Sequence, residues 1–367
     1  MIARPLAALA AAVALAFPTP SIAAESATVG ASATKLLADA MSFLADSQAE
    51  DGSWSSFAGS GVTSLVGTGL LRNGSSAQDP VVAKALEYVL SHVKPTGAIH
   101  LEGTNYRNYE TCLAIMFLTE ANVGGRYDEV LANAEAFIND LQWDESEDQG
   151  PESLSYGGAG YGRHGRPDMS NTGFFLEAKQ SLGRGEEDPA VRKALAFISR
   201  CQNLETEYNT TEWAAKIQDG GFYYTAAAGG QSQAGETDNG GLRSYGSMTY
   251  VGLKSMLYAG VTASDPRVKA ARAWIGKNYT LDQNPGMGTS GLFYYYHVFA
   301  KALDTLGEAE IIDPSGTSHN WRAELVERLA KTQNADGSWT NSNKRWMETD
   351  PNLVTAYVLL ALAHAAE

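Results

Sequence analysis

The sequence predicts an all-α fold, a closed α/α toroid of six helical hairpins with an inner and an outer ring. Three observations predict it. The segment Gln48-Ala49-Glu50-Asp51-Gly52-Ser53-Trp54 returns near the other end as Gln333-Asn334-Ala335-Asp336-Gly337-Ser338-Trp339. A recurring Asp-Gly turn with an aromatic plug between helices marks a stacked or closed helical array. Asp-Pro pairs at Asp79-Pro80, Asp188-Pro189 and Asp265-Pro266 each open an amphipathic segment. Proline suits the first helical position after an aspartate cap, so each pair reads as a helix start. Finally, the segments between the amphipathic ones are apolar nearly all round, and a helix without a polar face is buried.

Taken in order, the amphipathic segments begin near Thr34, Val81, Tyr127, Ala190, Arg267 and Asn320. They end near Gln48, Val93, Gln142, Gln202, Asn278 and Gln333, which makes six outer helices. The apolar segments are 62–71, 109–120, 170–182, 244–258, 289–306 and 352–365, read as six inner helices. Six pairs suffice to close a ring, and neither end carries a polar capping repeat. Inner-to-outer connections such as 73–78, 183–187 and 260–264 are short. The outer-to-inner connections 143–169, 203–243 and 334–351 are long and rich in Gly, Tyr and Trp. Long structured loops inside a compact domain carry function, and these lie on one face, above the inner-helix N-termini. That face is the expected mouth of a central cavity.

Composition sets the outer bounds. Residues 1–24 read as a signal peptide: Arg4, an apolar run from Leu6 to Phe17, then Ser21-Ile22-Ala23-Ala24. An exported chain, periplasmic or extracellular, is therefore expected, with 25–367 as one toroid domain and no other stretch apolar enough to span a membrane. A net charge of −15 excludes nucleic acid and anionic membrane surfaces as partners. Cys112 and Cys201 are expected to be unpaired thiols, on an inner helix and at an outer-helix end. A monomer is expected.

Four stretches carry a family resemblance. They are Gly157-Gly158-Ala159-Gly160-Tyr161-Gly162 with Arg166-Pro167-Asp168-Met169-Ser170-Asn171-Thr172, Gly241-Leu242-Arg243-Ser244-Tyr245-Gly246-Ser247-Met248-Thr249-Tyr250, Leu292-Phe293-Tyr294-Tyr295-Tyr296-His297, and Arg345-Trp346-Met347-Glu348-Thr349-Asp350-Pro351-Asn352. With the Asp-Gly-Ser-Trp turns, the chain resembles squalene/terpene cyclases and protein prenyltransferase β-subunits. It resembles more closely the secreted bacterial prenyltransferase and squalene oxidase repeat proteins. The resemblance implies a cavity that binds or transforms an apolar, isoprenoid-like ligand without a cofactor.

Neither inherited chemistry carries over intact. Cyclases of the squalene–hopene type protonate an alkene with the middle acid of Asp-x-Asp-Asp-Thr, which demands a well-placed carboxylic acid held protonated. The matching stretch is Asp168-Met169-Ser170-Asn171-Thr172, so Ser170 stands where the donor belongs. Asp168 and Ser170 read equally as helix caps. The prenyltransferase zinc site needs an aspartate two residues before a cysteine; Glu110 precedes Cys112, and no histidine partner can be named. No metal is expected.

The candidate catalytic residues are Asp168, Tyr245, His297 and Tyr294. The candidate ligand-binding residues are Tyr161, His164, Arg166, Asn171, Arg243, Glu348 and Asp350. Ser290, Tyr294, His297 and Lys301 share one helical stripe. His297 reads either as an acid/base partner of Tyr294 or as the maker of a structural hydrogen bond. Lys179, Lys254 and Lys301 are expected to favour helix C-termini, with Lys301 snorkelling out. Glu236, Asp238, Glu348 and Asp350 read as solvated turn residues. Two other functions fit the mouth: a polysaccharide lyase or hydrolase using its Tyr, His and Arg on a saccharide, or a non-catalytic envelope binding or scaffold protein. An apolar aromatic pocket favours the first reading, a polar groove with arginines the second, and a filled centre the third.

Overall fold

A computed structural model describes residues 22–162 and 165–365. The hairpins are α1 (Ile22–Ser47) with α2 (Gly61–Arg72), α3 (Pro80–Ser91) with α4 (Arg107–Glu120), and α5 (Asp128–Asp140) with α6 (Met169–Ser181). They continue as α7 (Pro189–Arg200) with α8 (Gly246–Tyr258), α9 (Pro266–Lys277) with α10 (Leu292–Leu306), and α11 (Trp321–Thr332) with α12 (Pro351–Ala365). Odd helices form the outer ring and even ones the inner. Each inner helix packs on the next, α12 packs on α2 and α11 on α1, so the ring closes. The minor elements among the described residues are one α-helical turn, Ala214–Ile217, an antiparallel ladder of Ile311–Ile312 with Ser318–His319, and four three-residue 3-10 turns, Ser56–Ala58, Val123–Gly125, Glu145–Glu147 and Arg345–Met347. Residues 1–21 of the expected signal peptide lie outside the described residues. Among the described residues no helix is long and apolar enough to cross a membrane.

A recurring joint explains the recurring sequence. Gln48 ends α1, and its Nε2 donates to the Gly52 carbonyl of its own turn (3.0 Å) and to the Val81 carbonyl of the next outer helix (2.9 Å). Gln142 does the same to Gly157 and Ala190, Gln202 to Gly220 and Arg267, and Gln333 to Gly337 and Leu36. The last of these crosses the seam between α11 and α1. The turn glycine has φ near +80 to +90° in each case, and a Cβ there would overlap a carbonyl of the adjoining outer helix. The tryptophans complete the joint. Trp54 and Trp339 are buried, and their Nε1 groups donate to the Leu44 and Leu329 carbonyls, both at 2.9 Å.

Helix starts follow the expected chemistry with one exception. Asp188 accepts from Ala190 N and Val191 N, and Asp265 from Arg267 N, as N-caps. Asp79 instead turns back to Ser76 N, at 2.7 Å. Cys112 and Cys201 are both buried and unpaired.

Candidate functional site

All six inner helices bring their N-terminal turns to one face, and there they enclose a cavity of about 280 Å³. Its apolar wall comes from Val62 and Leu65 of α2, Met248 of α8 and Leu353 of α12, with Met347 from the loop before α12. Eight aromatic residues supply most of the rest: Tyr106, Tyr109, Tyr161, Tyr224, Tyr245, Tyr294, Trp346 and Tyr357. Burial pushes the phenol pKa values of Tyr245, Tyr294 and Tyr357 well above the ordinary value, so these hydroxyls stay protonated. Among the described residues, the only charged side chains on the wall are Glu110 and Glu348.

Asp168 caps α6 from just behind this wall. Its Oδ1 accepts from Asn171 N at 2.9 Å and its Oδ2 from Asn171 Nδ2 at 2.8 Å. Burial pushes its carboxyl up to about 6, although the Asn171 donors, the Tyr224 hydroxyl and the Arg166 charge all favour the ionised form. Asn171 itself is fully buried. Ser170, on the wall, lies 3.3 Å from the Tyr294 hydroxyl. Where the resemblance would place a cyclase's acid there is a neutral hydroxyl pair, and Asp168 is not among the residues that line the cavity.

Glu348 and Glu110 have matching roles that the sequence did not display. Glu348 is fully buried, not a solvated turn: its Oε1 accepts from Phe293 N (3.0 Å) and Tyr294 N (2.8 Å), capping α10, and its Oε2 from Asn341 Nδ2 (2.6 Å). Burial raises its pKa. Glu110, on α4, reaches across to cap α2: its Oε2 accepts from Ser60 N (2.8 Å), Ser60 Oγ (2.9 Å) and Leu101 N (3.0 Å). Its Oε1 is buried with no hydrogen-bond partner among the described residues. Helix N-termini favour such carboxylates, which explains two buried acids on an otherwise uncharged wall.

At the floor of the cavity, Tyr357 stands on the second turn of α12, its ring 5.7 Å from Tyr294. His297 stacks under Tyr357 with centroids 5.9 Å apart and planes at 15°. It is fully buried and neither ring nitrogen has a partner, so the expected structural hydrogen bond is absent among the described residues. Burial holds its pKa well below the ordinary value, which keeps the ring neutral. Deeper still, Glu177 pairs with Lys254 and with Lys301, the latter at 2.5 Å. Burial opposes the Glu177 charge, but the two ammonium groups hold its carboxyl well below the usual range. Lys301 is pushed down to about 7 by burial. Neither lysine snorkels; both are spent on one buried carboxylate. Lys179 likewise is buried against Glu135 (2.6 Å) and Asp188 (2.8 Å).

The remaining candidates fall at the rim or outside it. Tyr161 is on the wall and meets Tyr106 edge-on at 5.1 Å. Arg166 is exposed, lies over the Tyr224 ring at 5.5 Å and donates to Gln231. Arg243 is not on the wall: its Nε is bound to the Glu236 carbonyl at 3.0 Å within its own loop. Asp350 caps α12 through Leu353 N and takes a hydrogen bond from Ser55 Oγ at 2.7 Å. His164, with Arg163, lies outside the described residues. Sequence reasoning did not select Glu110, Tyr109, Tyr224, Trp346 or Tyr357. Only Trp346 carried a local signal, standing in the Arg345-Trp346-Met347-Glu348 stretch that carries the family resemblance. There Trp346 and Met347 both adopt positive φ, 54° and 62°, a strained pair at the mouth.

Comparison with solved structures decides the architecture. The type II terpene cyclase MstE from Scytonema, in complex with geranylgeranyl dihydroxybenzoate as substrate, aligns with a TM-score of 0.54 and 15% identity over 93% of this chain and 99% of that one. The same cyclase with merosterolic acid A as product gives 0.56 and 16% over the same shares. A glycosyl hydrolase of family 88 from Bacteroides vulgatus gives 0.52 and 10%, over 91% and 99%. The chain is an α/α toroid. The toroid is shared by cyclases and glycosidases alike, and at these identities the likeness is one of fold. No protein-family model matches the sequence, and neither does any curated protein.

Proposed function

We propose that this chain is an exported, monomeric toroid whose cavity binds a small apolar, isoprenoid-like ligand, without the acid by which cyclases of this fold start their reaction. The wall is the observation that carries this reading. It is built from aliphatic, methionine and tyrosine side chains, and its two carboxylates are engaged by helix N–H groups. The centre is open, which speaks against a pure scaffold. Arg166 and Arg243, the anchors a uronate needs, stand off the wall, which speaks against a sugar-polymer site.

Size narrows the ligand. A volume of 280 Å³ is at the low end of ligand cavities, about 300–1,000 Å³. That scale favours a short isoprenoid such as a monoterpene alcohol over squalene. Tyr294, Tyr245 and Ser170 offer hydroxyls for one polar end. Native mass spectrometry of protein purified from its own envelope tests the reading, together with titration of geraniol and of squalene followed through Trp346 fluorescence. Retention of a small apolar molecule and saturable geraniol binding that Trp346→Phe silences is the expected result. A co-purifying oligosaccharide, or no binding of geraniol, would overturn it.

A further inference from the structure

We infer that the ligand of this cavity carries an alkylated ammonium group, held against tyrosine faces beside Glu110. The inference rests on the apolar-ligand reading and adds a charge to it. Among the described residues the wall contains two carboxylates and no lysine, arginine or histidine. The two acids are not equivalent. Both oxygens of Glu348 are engaged, whereas Glu110 gives three donors to Oε2 and leaves Oε1 buried and empty-handed. A buried carboxylate oxygen without a donor is unfavourable, and a positive charge on the ligand beside it, which needs no N–H of its own, offsets that cost electrostatically.

The aromatic surround fits the same charge. Tyrosine and tryptophan faces are electron-rich and attract a cation lying over them, most strongly where water is excluded. Tyr109, Tyr294 and Tyr357 stand together, with Tyr245, Tyr224 and Trp346 completing the surround. Two of these rings already serve as cation platforms: Arg166 lies over Tyr224, and Arg345 over Trp346 at 4.3 Å. A metal ion or a bare ammonium would forfeit its hydration to Val62, Leu65 and Met248; a methylated ammonium is weakly hydrated and presents methyl groups to them.

The test compares three probes of similar size at constant pH by calorimetry: benzyltrimethylammonium, its uncharged isostere neopentylbenzene, and the anion 3-phenylpropanoate. The ammonium should bind at least tenfold more tightly than the isostere, and the anion least. Glu110→Gln, which keeps an oxygen for Ser60 and Leu101, should weaken the ammonium at least tenfold more than it weakens neopentylbenzene. Trp346→Leu, at an exposed position that spares the core, should weaken the ammonium at least threefold more than the isostere. Equal or tighter binding of neopentylbenzene would overturn the charge inference and leave the apolar-ligand reading standing. Tightest binding of the anion would also overturn it, in favour of the rim arginines. Binding of none of the three would overturn both readings.

Discussion

Replacing Asp168 by asparagine should make the protein less sensitive to pH, by an amount that the site itself sets. Asp168 is 1% exposed, and burial lifts its carboxyl from an ordinary 3.8 to about 6. The native state therefore holds the proton more tightly than the unfolded chain does. The sign follows: this group's stabilising contribution is complete below about pH 3.8 and is lost as pH rises through 6. At about 1.4 kcal/mol per pH unit, the loss amounts to about 3 kcal/mol by pH 8. Asparagine caps a helix about as well as aspartate and carries no charge to desolvate. Urea unfolding of both proteins from pH 3.5 to pH 8 gives a stability difference in which all other titrations cancel. That difference should shift by about 3 kcal/mol in favour of Asp168→Asn, mostly between pH 4 and 6. A flat difference, or one that moves toward the parent protein as pH rises, would mean the carboxylate is ionised and well solvated by Tyr224 and Arg166.

Three further outcomes are expected. Trp339→Ala should destabilise the ring by about 3–5 kcal/mol, because it removes a buried indole and its hydrogen bond to the Leu329 carbonyl; a loss below about 1 kcal/mol in denaturant titration would make the turn mere decoration. Glu177→Gln should cost about 3–5 kcal/mol by leaving Lys254 and Lys301 without their shared counter-charge, and an unchanged melting transition would contradict that pairing. Given squalene, the natural protein should yield no polycyclic product on chromatographic analysis, since Ser170, where the sequence resemblance would place the acid, faces only the Tyr294 hydroxyl; robust product would require an acid other than Asp168.

The fold was legible because each ring helix declares its layer. A segment such as 352–365 has no polar side to offer water, while 190–202 has one. The joints were legible too, since Gln, Gly and Trp act on carbonyls at fixed offsets from their own helix end. The site was legible only in pieces. Glu110 sits mid-run on an apolar segment, and its task is to cap α2, a partner about fifty residues away that no local pattern names. Glu348 looked solvated for the same reason: its donors, Phe293 N and Tyr294 N, belong to another hairpin. Arg243 lies in the longest loop, whose path over the mouth depends on contacts such as its own with Glu236. His297 and the lysines were read from one helix's stripe, yet their environment is Glu177, contributed by α6.

The seam has a topological consequence. Gln333 grips Leu36 across it much as Gln48 grips Val81 within the chain, and Asn73 Nδ2 donates to the Leu359 carbonyl at 2.9 Å. Since the joint that joins last to first is chemically the same as those between neighbours, the ring has no intrinsic beginning. A circular permutant opened in the 183–187 turn, with a short linker from the end of α12 to α1, keeps every outer-helix joint intact. It should fold to the same ring, because the order of the hairpins along the gene is not an instruction the closed ring needs.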